Sequence, residues 1–487
     1  MDTDTRVATK SGFMRVTLAA AICLAVMQTV AGQSIQLPWS GFAHTPQHGC
    51  VSTVPSQPLN RILWTMPLTQ GSGSEYTHYT GPLVTRSNTV IFPISLTNGG
   101  FQIEAVVGAT GQTNWEQPTD YSGTTPFCAL ALTPGNRLYF FGNGGTVFYC
   151  DSPDTTTTPT FTRAAFYGLN LYLTNSKTLN SQFHINTPIT SDRYGNIFFG
   201  FGTLGTTNML GTQGGLARID FDGTGSWISA SNIVASNNVF QTAFNCTPAL
   251  SLDQKTVYIA LEERSGALIL AALDSRTLAP LASVFLKDPE TKAAALISDS
   301  TASPTIGPDG DVYFGIWSED NDERGWLLHF DSSLSVAKIP GLFGWDVTDS
   351  IVNASLVPSY GGNSTYLLAT KYNNYGTGNY SMAILDPQQG ALDSQSGVTV
   401  MAAVLTIPSP APLEWCVNSA AVDPFTKSII ANNEDGNLYR WDLTSNQLTE
   451  IVALTTSRAG QAYTPTVVGV DGTVYAINHG QLFAIGK

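Results

Sequence analysis

An all-β fold, an eight-bladed β-propeller of four-stranded antiparallel blades closed by the N-terminal strand, is predicted by three features of this 487-residue chain. A strand-turn-strand phrase recurs, each copy is followed by further apolar strands, and the last copy lacks one strand while the first is preceded by an extra one. A sheet that is apolar on both faces cannot bury both alone, so units of about 50 residues must be sandwiched between like neighbours.

The phrase is clearest at Ser303-Pro-Thr-Ile-Gly-Pro-Asp-Gly-Asp-Val-Tyr-Phe-Gly315 and returns from Thr187, Thr247 and Thr464. Weaker copies run over 81–92, 129–140, 354–367 and 419–430. Its second strands centre on Ile91, Tyr139, Phe198, Tyr258, Tyr313, Tyr366, Ile429 and Tyr475, spaced 46 to 63 residues apart. Third strands close on Asp-led turns at Asp220, Asp274, Asp331, Asp386 and Asp442, and fourth strands follow, as at 113–116 and 281–285. The final unit stops after its third strand, 481–487, whereas the strand at 61–66 has no unit of its own. Pairing the two leaves no raw sheet edge. The alternative is seven blades plus an irregular segment, with blade 6, carrying Gly361-Gly-Asn-Ser364 in a turn, the least regular.

Composition agrees: 12% of residues are charged, and 45 Gly with 26 Pro supply many turns. Arg6, Lys10 and Arg15 precede an apolar run at 16–27, and small residues at 30–32 fit a cleavage site, so residues 1–32 read as a secretory signal peptide. Residues 33–60 form an irregular lead-in and 61–487 a single propeller domain. The expected location is secreted, periplasmic or extracellular. No later run approaches spanning length, so membrane insertion is not expected, and a monomer is. A net charge of −14 repels nucleic acid and anionic lipid and leaves protein or carbohydrate as the expected partner. Cys50, Cys128, Cys150, Cys246 and Cys416 survive cleavage with spacings that fit no zinc pattern, and read mostly as buried free thiols. Sequons start at Asn245, Asn353, Asn363 and Asn379.

The turn Gly108-Ala-Thr-Gly-Gln-Thr-Asn-Trp115 resembles the D/G-A-x-T-G-x-x-x-W signature of pyrroloquinoline-quinone-type repeats. With the S/T-P…D-G-x-V-Y phrase, and with Trp39, Phe42 and His48 resembling a W-x-x-F…H lead-in, the chain from about residue 61 on is similar to the quinoprotein-like propeller superfamily. That resemblance implies the fold, and as activities either quinone-dependent dehydrogenation or non-catalytic assembly and binding. The chain departs from the enzymes in having no adjacent Cys-Cys pair and no Cys-x-x-Cys-His haem motif; the signature Trp is clear only at Trp115 and loose at Trp227 and Trp441.

In such blades the first-to-second and third-to-fourth turns share one face, and these read as short throughout. Second-to-third loops and blade linkers share the other. Long segments are expected there at 202–214, 317–325 and 370–378, and in linkers 152–186, 230–245, 287–302, 341–353 and 394–415. Function on rigid scaffolds gathers on long loops. The candidate ligand-binding residues are therefore Trp317, Glu319, Asp320, Trp345, Tyr372, Tyr375, Trp415 and His479, with aromatic rings to stack on sugars or a planar cofactor and carboxylates to hold a cation. His78 is a further candidate, and His329, inside an apolar strand, reads as a core residue. The expected function is a secreted binding or scaffold module for a protein or glycan, leaning away from an enzyme, with the catalytic residues unknown and no cofactor predicted; the alternative is an oxidoreductase of sugars or alcohols using pyrroloquinoline quinone and calcium, and a third reading is a glycan-cleaving enzyme using paired carboxylates on the same face.

Overall fold

The computed structural model describes Met1 and residues 38–70, 81–121, 129–205, 207–296, 302–318, 321, 323–415, 417–455 and 464–487. The expected signal peptide, His78, Cys128, Glu319, Asp320 and Cys416 lie outside the described residues.

From Pro38 onward the chain folds into eight antiparallel sheets arranged as a propeller ring. Blades 1 to 7 span 83–118, 130–165, 183–229, 239–285, 305–342, 350–408 and 421–453. Blade 8 combines Val467–Val468, Val474–Asn478 and Gln481–Gly486 with the N-terminal strand Arg61–Pro67. Its closing register places Arg61 opposite Gly486 and Met66 opposite Leu482, as the strand count requires. All eight marker residues lie on second strands. In blades 3 and 4 the inner strand is broken in two, at Phe183–Ile185 with Thr190–Ser191 and at Val239–Thr242 with Ala249–Leu250, and both pieces pair the same neighbour.

The recurring phrase has a mechanical meaning. Thr190 Oγ1 donates to the carbonyl of Pro248, Thr305 Oγ1 to that of Asp349 (3.1 Å), and Ser350 Oγ to that of Ala420 (2.7 Å). Each acceptor is the residue immediately before the next blade's inner strand, so hydroxyls of the phrase clasp blade to blade around the axis. The Gly108-Ala-Thr-Gly111 turn does the same at the ring's seam. Trp64 Nε1 donates to Gly108 O at 2.8 Å, and a Cβ at Gly111, held at φ +69, would meet the Trp64 ring at 2.8 Å. Trp115 Nε1 donates to Pro153 O in blade 2 at 2.8 Å.

The lead-in is a strap under the short-turn end of the ring. Inner-strand N–H groups of Val84, Leu132, Leu250, Ile306, Ile351 and Val422 donate to carbonyls of Trp39, Ser40, Pro46, Gln47, Gly49 and Cys50. Six of the eight inner strands thus donate one backbone bond each to the strap, the N–H of Ser52 donates back to Val422 O, and the N–H of Gln57 donates to Gly472 O in blade 8. Trp39, Phe42, His44, His48 and Cys50 are all buried. Burial pushes the His44 and His48 imidazoles down to about 4, so they sit neutral in the fold. The far end is locked by Arg440, which donates to Glu450 (Nε, 2.8 Å), to Ser56 Oγ (Nη1, 2.9 Å) and to Gln57 O (Nη2, 2.8 Å), beside a fully buried Asp423 that also accepts from Ser56.

Four expected linkers contain structure. Segment 152–186 holds blade 2's outer strand Thr162–Ala165 and a helix, Leu169–Asn180; 230–245 holds Val239–Thr242; 341–353 holds Gly341–Leu342 and Ser350–Asn353; and 394–415 holds the ten-residue strand Thr399–Pro408. Outer strands face solvent on one side, so their apolar alternation is weak: the buried positions of Thr399–Pro408 are broken by exposed Thr399, Ala403 and Thr406. The short-turn face is not uniformly short either. Blade 6 spends 354–365 on its first turn, built around a 3₁₀ turn at Ala354–Leu356, and blades 2 and 5 use 151–161 and 331–340 for their last. Conversely, five of the eight second-to-third loops are tight, such as 433–436 and 479–480, so the asymmetry between faces comes mainly from the blade linkers. Among the described residues no helix is long and apolar enough to cross a membrane.

Candidate binding site

Three chain segments from neighbouring blades meet on the long-loop face: 343–349, which links blade 5 to blade 6; the blade 6 hairpin loop 372–380; and 409–418, which leads into blade 7. The hairpin is pinned by Asn374 pairing with Asn379. Asn373 Nδ2 donates to Trp415 O at 3.1 Å, Tyr375 Oη donates to Glu414 Oε2 at 2.5 Å, and Asn418 Nδ2 donates to Asp346 O at 3.2 Å, which ties the three together.

Three of the predicted aromatic residues, Trp317, Trp345 and Tyr375, converge here. Trp317 lies 6.1 Å from Trp345, Trp345 lies 5.4 Å from Tyr375, and Tyr375 lies 5.9 Å from Tyr380, centroid to centroid, a continuous run of tilted and edge-on rings from blade 5 to blade 6. Trp415 packs edge-on against Tyr439 at 5.5 Å. Tyr372 leaves the run and packs on Phe343 at 3.9 Å. His479 stands apart in the tight turn of blade 8, at φ +50, lining a separate cavity of about 350 Å³ with Leu454, Asn478 and Phe483. His329 is a core residue as expected, hydrogen-bonded to Asp311 at 2.9 Å and Ile339 O at 3.2 Å and stacked on Tyr313.

The polar atoms of this region are incompletely satisfied. The indole Nε1 groups of Trp317, Trp345 and Trp415 and the Oδ1 of Asn373 are buried with no hydrogen-bond partner among the described residues. Buried polar groups are nearly always paired, so these orphans set the region apart. The carboxylates of Glu414 and Glu434 face Tyr380, whose phenol is held above its ordinary value first by burial and then by those charges.

Two residues here escaped sequence reasoning. Asp349 is 1% exposed with both carboxylate oxygens unpartnered among the described residues, and burial raises it to about 7. The signal was present: the positions just before the eight inner strands are Pro82, Ala129, Ile189, Pro248, Pro304, Asp349, Ala420 and Thr466, and only blade 6 has an ionisable group there. Lys371, at the end of the strand Tyr366–Lys371, is likewise buried.

No family model matches this chain, and no curated protein matches it. Solved structures do. It is similar to a europium-containing methanol dehydrogenase (10% identity, TM-score 0.52, covering 93% of this chain and 92% of that one) and to the quinohemoprotein alcohol dehydrogenase of Comamonas testosteroni (10%, 0.57, 96% and 84%). It is similar also to Sqt1 of Saccharomyces cerevisiae (11%, 0.51, 89% and 99%). The fold is that of a β-propeller. At these identities the likeness concerns the fold alone.

The three described cysteines, Cys50, Cys150 and Cys246, are free, buried in different parts of the ring and pushed up to about 12 by burial, so no vicinal pair walls a quinone slot. No group of three or more His, Cys, Asp or Glu converges among the described residues to hold an ion.

Proposed function

We propose that this chain is an exported binding module, with no catalytic role, whose long-loop face above blades 5 to 7 takes a carbohydrate ligand. One observation carries the reading: two indole N–H groups without acceptors among the described residues, those of Trp317 and Trp345, set along a run of aromatic rings. Sugars present apolar C–H faces that stack on such rings and hydroxyl oxygens that accept from indole N–H groups. The carboxylate of Glu414 and the Oδ1 of Asn373 offer acceptors for hydroxyl hydrogens. The strap beneath the ring supports the choice of face, since it occupies the opposite end.

The test is a glycan-array screen followed by tryptophan-fluorescence titration of the hits with the chain lacking residues 1–32. Binding that Trp345→Ala weakens about tenfold or more would support the reading. Binding of proteins but no glycans, or glycan binding indifferent to Trp345, would overturn it. A quinone enzyme is the competing reading on fold likeness. Adding pyrroloquinoline quinone and calcium while recording absorption and dye-linked oxidation of alcohols and sugars decides against the binding module if turnover appears. Export is checked by N-terminal sequencing of protein recovered outside the cell, with a start near Gln33 expected.

A further inference from the structure

Blade 5 has the shortest outer strand of the ring. Gly341–Leu342 pairs only with Trp326 and Leu327 of the third strand Trp326–Phe330, whereas the outer strands on either side, Pro280–Phe285 and Thr399–Pro408, run for 6 and 10 residues. The local sequence explains the shortfall. Phe330 bridges Ala337, so Lys338, Ile339 and Pro340 stand opposite only His329 and Leu328, a bulge of one residue. Pro340 has no N–H to give to the ladder, and its carbonyl turns to blade 6, where it accepts from the Met401 N–H at 2.8 Å.

A cavity of about 490 Å³ lies at this bulge, where blades 4, 5 and 6 adjoin. Leu328 and Phe330 line it from blade 5, Val284 from blade 4 and Val398 from blade 6, and all four pack in one hydrophobic core. Phe285, also lining it, is 51% exposed. The charged part of the lining is mainly cationic, with Lys287, Lys292 and Lys338 against a single carboxylate, Asp288. Three of the nine lysines of a chain with net charge −14 thus surround one apolar hollow. Lys338 is offset by Asp311. Asp288 is turned into the protein, where it accepts from Ser318 Oγ, from Trp326 Nε1 (2.9 Å) and from the N–H groups of Glu290 (2.7 Å) and Thr291 (3.0 Å). His329, bonded to Asp311 and held below its ordinary value by burial, adds no charge. Lys287 and Lys292 therefore outweigh Asp288 by one positive charge.

We propose that this cavity binds a medium-chain carboxylate of the fatty-acid type. Its volume falls within the roughly 300 to 1,000 Å³ of small-molecule sites, which are largely apolar with a few placed polar groups. The hydrocarbon chain packs on Leu328, Phe330, Val284 and Val398, and the head group meets the ammonium of Lys287 or Lys292. One surplus positive charge matches one carboxylate, and a doubly charged head such as a phosphate monoester would exceed it. A sugar is ill suited, because the oxygens of Asp288 and both ring nitrogens of His329 are already bonded within the protein. The cavity shares no residue with the aromatic run on the long-loop face, so this proposal stands apart from the carbohydrate reading.

The experiment titrates the purified protein by calorimetry with octanoate, nonanoate and decanoate, and with decanol and decyltrimethylammonium as neutral and cationic counterparts. Each added methylene should tighten binding about three- to fourfold, the worth of burying one CH₂. Decanoate should bind roughly tenfold or more tighter than decanol, since a charge-assisted hydrogen bond is the difference, and decyltrimethylammonium should not bind. Replacing both lysines, Lys287→Gln with Lys292→Gln, should bring decanoate down to the level of decanol. Filling the cavity from blade 5 with Ala337→Trp, or from blade 6 with Val398→Trp, should weaken decanoate and decanol alike by about tenfold or more. Lys287, Lys292 and Ala337 are exposed, so thermal unfolding of the variants at these positions should match the parent. Decanoate binding no tighter than decanol, tight binding of the cation, binding that the lysine pair or both tryptophan variants leave unchanged, or no binding of any of these probes would each overturn the proposal.

Discussion

Ile62 stands opposite Ile485, joining the first regular strand of the chain to the last across a separation of more than four hundred residues. Ile485 is fully buried, and Trp64 from the same first strand reaches over to blade 1. The ring is held shut by this one antiparallel pair and the contacts behind it.

Ile485→Ala should therefore cost about 2 to 5 kcal/mol, the range for a buried aliphatic truncation that leaves a cavity. Denaturant unfolding measures it, and a loss below about 1 kcal/mol would mean that the seam carries little of the fold's stability.

The strap offers a second test. Arg440→Met strips the cation from Asp423 and Glu450 and leaves Asp423 buried without its counter-charge. About 3 to 5 kcal/mol should be lost, and limited proteolysis should now cut near Ser56 and Gln57, which Arg440 holds.

Stability should also report the odd carboxyl of blade 6. Burial raises Asp349 to about 7, so folding favours its protonated form. That contribution is fully present below the unfolded value near pH 4, fades as pH rises and is gone above about pH 7. Asp349→Asn should gain on the parent across this window, by up to roughly 4 kcal/mol. His48, held down to about 4, does the reverse: its contribution is present above about pH 6.5 and lost as pH falls toward 4. The difference curve for His48→Asn should slope the other way, and urea unfolding at a series of pH values reads both.

Sequons divide by exposure. Asn353, Asn363 and Asn379 are exposed and all belong to blade 6, whereas Asn245 is 4% exposed. Produced with a secretion leader in a host that N-glycosylates, the protein should carry glycan on peptides holding the first three and none on the peptide holding Asn245, as mass spectrometry of tryptic and deglycosylated digests will show.

The blade count could be read from the chain because the hydroxyl of the recurring phrase and the Trp of the turn signature act locally, each bonding the adjacent blade: Thr305 to Asp349, Trp115 to Pro153. Outer strands were harder to see. Thr162–Ala165 has four residues and no apolar alternation, and the helix that follows exposes Leu173 while burying Tyr172 and Leu179, so no single stripe announces it. The aromatic half of the candidate site was legible because Trp317, Trp345 and Tyr375 sit on loops that the unit spacing already assigned to one face. Its polar half was not. Asn373 and Glu414 acquire meaning only through neighbours brought by another blade, and the tyrosine at 372, one position from Asn373, turns instead to Phe343.

The strap has a consequence for biosynthesis. A ribosome delivers Trp39 to Gln57 before any blade, yet the backbone groups that receive this stretch at Leu250, Ile306, Ile351, Val422 and Gly472 emerge hundreds of residues afterwards. This stretch must therefore wait, solvated and unseated, until nearly all the blades are out, and late, non-local closure of this kind is slow.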